Sequence, residues 1–165
     1  MKKVYFISGL GADKRAFSFL DLTFCEPIFI DWIKPVDNES LYQYAMRLKE
    51  QINEPSPTIV GVSFGGMLAT EIAKSDASAK VIIISSNKIK KEFPKILLIG
   101  KYIPLYKWIP STILKKAGAF RVRFFGPKGE NQKKIFNQIL KDTDTKFTKW
   151  AIHSILHWGN KIEPI

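Results

Sequence analysis

Short apolar runs of strand length alternate with amphipathic stretches over the first 87 residues. Val4-Tyr5-Phe6-Ile7, Pro27-Ile28-Phe29-Ile30-Asp31-Trp32, Thr58-Ile59-Val60-Gly61-Val62 and Val81-Ile82-Ile83-Ile84-Ser85 are continuous runs. Continuous apolar runs mark strands buried on both faces. Between them, Asp13 caps a helix that is expected to reach about Leu20. Glu39 to Gln51 reads as a helix with Leu41, Tyr44, Ala45 and Leu48 on one face. Pro55-Ser56-Pro57 ends that stretch, and Gly65 to Lys74 forms the third helix. The order β-α-β-α-β-α-β predicts an α/β fold, a three-layer parallel sheet with helices on both faces.

The pattern changes after Asn87. Residues 88 to 129 are rich in Lys, Pro and aromatic side chains, and contain no further buried-strand run. Phe93-Pro94-Lys95-Ile96-Leu97-Leu98 and Tyr106-Lys107-Trp108-Ile109-Pro110 suggest short helices broken by proline. Glu130 to Lys141 predicts a further helix. Thr143 or Asp144 caps a last one that runs to Trp158 and carries an apolar arc of Phe147, Trp150, Ala151, Ile155 and Trp158. The expected division is a core over 1–87, a helical cap or lid over 88–160, and the start of another core strand at 161–165.

The 165 residues suffice for one domain with a real core, and 12 Phe and 4 Trp exclude a disordered chain. The net charge of +11 is uneven. Residues 1–87 hold 9 Lys/Arg against 10 Asp/Glu, and residues 88–165 hold 17 against 5. The basic excess of the second half suggests weak contact with anionic surfaces, while no motif for nucleic-acid binding accompanies it. The single cysteine, Cys25, excludes an intramolecular disulfide and is expected to be packed in the core. With no secretory or membrane-spanning run, a cytoplasmic location is expected.

The chemistry concentrates at Gly61-Val62-Ser63-Phe64-Gly65, which follows a strand and opens a helix. This is the context of a nucleophile elbow, where a tight turn presents a serine hydroxyl above the sheet edge. The positions two before and two after the serine must nearly lack side chains, and Gly61 and Gly65 meet that need. The competing reading is a glycine-rich turn that holds a phosphate. A second rival comes from Gly9-Leu10-Gly11 after the first strand, with Asp31 ending the second, as in a dinucleotide-binding fingerprint. Lys14 stands where that fingerprint requires its third glycine.

Taken together, the elbow and Ser8-Gly9-Leu10-Gly11 resemble the α/β-hydrolase superfamily, in which a strand ending in H-G-x-G precedes the elbow. Serine replaces the histidine of that motif here. The resemblance implies Ser63 as catalytic nucleophile and the backbone N–H groups of Leu10 and Phe64 as the oxyanion hole. It also implies a lid over 88–160, with Trp158-Gly159-Asn160 leading into the next core strand. The family's acid follows that strand, and its histidine follows the one after. The chain is therefore expected to be C-terminally truncated, with an open sheet edge prone to self-association.

Neither histidine offers a ready substitute. His153 falls opposite the apolar arc of its helix, beside Lys146 and Lys149, and is expected to be exposed, with His157 at the boundary. No acidic or cysteine partner is spaced to complete a metal site with the pair. Asp142 and Asp144 stand in the right chain order for a triad acid, Asp31 and Asp37 lie near the ends of core elements, and Asn87 carries no charge. The expected function is serine-dependent hydrolysis of a small carboxylic ester or thioester, without cofactor or metal, weak or absent in this chain. The alternatives are a non-catalytic anion- or lipid-binding protein on the same fold and a dinucleotide-binding protein.

Overall fold

Four strands pair in the spatial order β2-β1-β3-β4 in the computed structural model, which describes residues 1–93, 102, 106, 108–110 and 129–161. They are β1 (Lys3–Ile7), β2 (Glu26–Phe29), β3 (Thr58–Val62) and β4 (Lys80–Ile84). Every pairing is parallel, as connection through helices requires. β2 ends earlier than its apolar run suggests, although Ile30 N–H still donates to Phe6 O at 2.9 Å. Because β2 is an edge strand among the described residues, Pro27 removes no donor that the sheet needs.

The two faces are covered unequally. Tyr5, Ile7 and Ile59 join a large core with α1 (Leu41–Lys49), α2 (Phe64–Ser75) and α4 (Thr145–His157), in which Tyr44, Leu48, Leu68, Ile72 and Ala151 are fully buried. Each buried aliphatic side chain of this size stabilises the fold by ~1.5–3 kcal/mol. The opposite face packs Val4, Phe6 and Val60 against Phe17 and Cys25, with the rings of Phe6, Phe17 and Phe29 at 5.3–5.7 Å from one another. Cover is thinner there. Ile82 and Ile84 of β4 are 54% and 47% exposed, so β4 is not buried on both faces as its continuous apolar run suggests. Among the described residues it is also the edge on its side of the sheet.

Caps account for the helix limits. Ser40 and Gln43 form a reciprocal capping box that starts α1 at Leu41. Glu39 stays outside the helix because its buried carboxylate accepts from Val36 N–H and from Arg47. The helix expected after Asp13 shortens to one 3-10 turn, Lys14–Phe17, capped by the Asp13 carboxylate. α3 (Glu130–Asp142) and α4 follow, the latter capped by Asp144, which accepts from Lys146 N–H at 2.7 Å. Most of the proline-broken segment and residues 162–165 lie outside the described residues. No helix among the described residues is long and apolar enough to cross a membrane.

α4 is bound to the core by more than its apolar arc. Phe147 lies 5.2 Å from Trp32 and 6.1 Å from Tyr44 between ring centres. Trp158 donates from Nε1 to the buried Glu71 carboxylate at 2.6 Å, and Lys74 pairs with the same group at 2.8 Å. The Tyr44 hydroxyl donates to Ile33 O and accepts from Ile33 N–H, and burial raises its pKa.

Candidate active site

β3 stops at Val62 and α2 starts at Phe64, leaving Ser63 alone between them at φ 52° and ψ −116°. A non-glycine residue at positive φ stores ~1–3 kcal/mol of strain and persists only where its surroundings fix it. Here they do. Ser63 N–H extends the ladder to Ile84 O at 2.8 Å, and Ser63 O accepts from Gly66 N–H at 2.9 Å, Met67 N–H at 3.3 Å and Ser86 Oγ at 2.6 Å. The side chain is exposed at the start of α2.

Each elbow glycine faces backbone where a Cβ would sit. A Cβ on Gly61 would lie 2.5 Å from Gly65 O and 2.6 Å from Gly66 Cα, and one on Gly65 would collide with Ile7 O and Ser8 O. Gly66 has the same character, for its Cβ would fall 2.5 Å from Ser86 Cβ and Oγ. The motif pattern singles out Gly61 and Gly65 only. The doubled glycine at 65–66 is the signal for Gly66, whereas nothing in the sequence points to Ser86.

The loop after β1 reaches the serine. The Cβ position of Gly9 is 3.5 Å from Ser63 Cβ. The loop is folded around the Ala12 carbonyl, which accepts from Ser8 Oγ at 2.9 Å and from Trp32 Nε1 at 2.6 Å. Gly11 takes φ 73° there, and Leu10 is half-buried against the main core. Phe64 is the first residue of α2, a position whose N–H has no acceptor within its helix. Leu10 and Phe64 thus lie on the two backbone segments that flank Ser63. Beside this loop is a cavity of about 360 Å³ lined by Gly11, Ala12, Trp32, Ile33, Thr143 and Phe147 among others. Nothing in the sequence singles out Trp32, whose place here depends on a contact with a segment 20 residues earlier.

Of the remaining candidates, Asp13, Asp142 and Asp144 line this cavity, each already partnered. Asp31 and Asp37 are exposed. Asp13 binds Arg15, whose hydrogen bonds hold its carboxyl below the usual carboxylate range. Arg15 also pairs with Asp142 at 2.8 Å, and Asp144 is occupied as the α4 cap. Asn87 is half-buried just past β4. His153 is not exposed as its helix position suggests. Tyr106, from the segment before α3, is hydrogen-bonded to His153 Nδ1 at 2.5 Å, and the His157 ring packs 4.0 Å from that of His153. His157 Nδ1 lies 2.9 Å from His153 O. Among the described residues no group of His, Cys, Asp and Glu side chains could hold a metal ion. Cys25 is packed against the second face, as expected.

No family model matches the chain, and no curated protein matches it. Solved structures do. It is similar to an epoxide hydrolase, CorEH, at a TM-score of 0.67 and 15% identity, over 95% of this chain and 67% of that one. It is also similar to MenH from S. aureus, at a TM-score of 0.53 and 15% identity, over 93% and 65% respectively. The chain therefore spans about two thirds of the length of these structures. A parallel four-stranded sheet flanked by helices, matched over nearly the whole chain, shows that this protein has the α/β-hydrolase fold.

Proposed function

We propose that Ser63 is the nucleophile of a serine hydrolase acting on a carboxylic ester or thioester, with the N–H groups of Leu10 and Phe64 as its oxyanion hole. The observation that carries this reading is the backbone of Ser63, held at φ 52° with its side chain exposed between glycines that cannot bear a Cβ. In the reaction, Ser63 Oγ adds to the acyl carbonyl carbon and two N–H donors stabilise the oxygen that becomes negative. The bond to the alkoxide or thiolate leaving group then breaks, and water hydrolyses the acyl-serine. Trp32 and Phe147 give the neighbouring cavity aromatic walls for an apolar acyl group, while Asp13, Lys34, Asp142 and Asp144 also bring charge to its lining. The Gly9-Leu10-Gly11 turn leads only into the short 3-10 helix that starts at Lys14, which disfavours a dinucleotide.

Ser63 Oγ gains reactivity from a base that takes its proton. The imidazole of His153 is engaged by Tyr106, and that of His157 by the α4 backbone. We therefore expect this 165-residue chain to turn over esters near the background rate. Covalent capture needs only one slow addition at Ser63 and no turnover. A fluorophosphonate should form one adduct, at Ser63 by peptide mass spectrometry, and none on Ser63→Ala. Equal labelling of the variant, or no adduct at Ser63, would overturn the assignment.

A further inference from the structure

Ser86 stands directly behind the elbow. It lies two residues past β4, which pairs with β3 in the register Val62 to Ile84. Ser85 between them takes φ 50°, the left-handed region that side chains disfavour. That turn carries Ser86 back over the start of α2, where its Oγ donates to Ser63 O at 2.6 Å. Gly66 makes room for the approach, since a Cβ there would lie 2.5 Å from both Ser86 Cβ and Oγ. The following segment is anchored separately: Asn160 Nδ2 donates to Lys88 O at 2.7 Å, and Lys90 N–H donates to Asn160 O at 2.8 Å.

We propose that Ser86 is a positioning residue for the reaction assigned to Ser63, and this rests on that assignment. Ser63 C=O and Phe64 N–H belong to one planar trans peptide unit and point in opposite directions. A donor that fixes the carbonyl on one side therefore fixes the N–H on the other. The two helix bonds to Ser63 O come from Gly66 and Met67, which move with α2. The Ser86 hydroxyl ties the same oxygen to the β4 exit instead, so the plane keeps its orientation relative to the sheet. Ser86 thereby aims the Phe64 N–H at the oxygen of the reacting acyl group without touching the substrate.

The test compares wild type, Ser86→Ala and Ser86→Thr in two measurements. One is the residual dipolar coupling of the Phe64 N–H, which reports its orientation directly. The other is the rate of Ser63 phosphonylation by a fluorophosphonate. Ser86→Ala should shift the coupling and slow labelling about tenfold, and Ser86→Thr should restore both. An unchanged coupling in Ser86→Ala overturns the proposal, whatever the labelling rate. A changed coupling in a protein whose wild type does not label supports the positioning role and refutes the nucleophile instead. If Ser86→Ala does not fold, Ser86→Cys, with a weak donor of similar shape, carries the same test.

Discussion

Replacing Gly65 by alanine separates two physical effects that predict opposite signs. Gly65 lies in the first turn of α2, and by helix propensity alone alanine would stabilise the fold by ~1 kcal/mol. The packing says otherwise. The new Cβ would strike Ile7 O and Ser8 O and sit 2.7 Å from Ile7 C, all backbone atoms at the end of a central strand. A flexible side chain could move aside, but a strand paired on both edges cannot move without disturbing two ladders. Overpacking of this kind costs ~1–3 kcal/mol or more, and with no relaxation available we take ~3 kcal/mol, for a net loss of ~2 kcal/mol. That is a large share of the ~5–15 kcal/mol that a domain has in total. Two controls calibrate the reading. Gly11→Ala meets nothing closer than Thr143 at 3.7 Å but must adopt φ 73°, which costs ~1–2 kcal/mol. Gly159→Ala meets nothing within 4 Å and should stay within ~0.5 kcal/mol of wild type. Urea unfolding followed by far-UV circular dichroism gives all three differences. A Gly65→Ala variant as stable as wild type would refute the contact between the elbow and β1, and with it the geometry assigned to Ser63.

Three further substitutions test the surroundings. Ser63→Gly releases the positive φ of Ser63 and should raise the thermal midpoint, by ~1 kcal/mol of stability; a lowered midpoint would show that no strain is stored. Trp158→Phe removes the donor to the buried Glu71 carboxylate and should cost ~2 kcal/mol in urea, and a loss below ~0.5 kcal/mol would mean that Glu71 is satisfied by Lys74 alone. The Asp13 carboxyl is held below its ordinary range by Arg15, so its contribution is complete above the ordinary carboxylate pKa and disappears as pH falls through the lowered value. Asp13→Asn should therefore be less stable than wild type at pH 7, with a difference that shrinks as pH falls below the ordinary carboxylate range, by urea midpoints; a constant difference from pH 7 to pH 2 would exclude the ion pair as the cause.

The parts of the fold that the sequence shows are those with local causes. β3 occupies the run Thr58–Val62, and α2 begins one residue before the expected start, because β-branched residues, a glycine-flanked serine and an alanine-spaced helix follow one another within 18 positions. α1 is shorter than its periodicity because Glu39 is drawn into a buried contact with Arg47 and Val36, a preference that no helical wheel displays. The apolar arc of α4 is readable, but not its destination: Phe147 and Trp150 meet Tyr44 and Phe64 across 80 or more residues. For the same reason His153 looks exposed on its own helix and is half-buried by Tyr106 in the fold. Ser86 is 23 residues from Ser63, and only the β3–β4 register brings the two together.

Chain reversal alone does not account for the strain at Ser63. A turn that only had to connect β3 to α2 would be relieved by glycine at position 63, which accepts φ 52° without a clash. Glycine already occupies 61, 65 and 66, each where a Cβ would strike a neighbour. Position 63 differs from these three in one respect: its side chain is exposed, so steric need does not select the residue there. The strain of ~1–3 kcal/mol is offset by the bond from Ser63 N–H to Ile84 O and by the three donors on Ser63 O, each worth ~1 kcal/mol net. All four would form equally well around a glycine, because they use backbone atoms of residue 63. What the serine adds is a hydroxyl at the helix N-terminus, within reach of the Gly9 loop. A stabilising Ser63→Gly together with lost labelling would show stability given up for chemistry at one atom, whereas a destabilising Ser63→Gly would return the elbow to a merely structural turn.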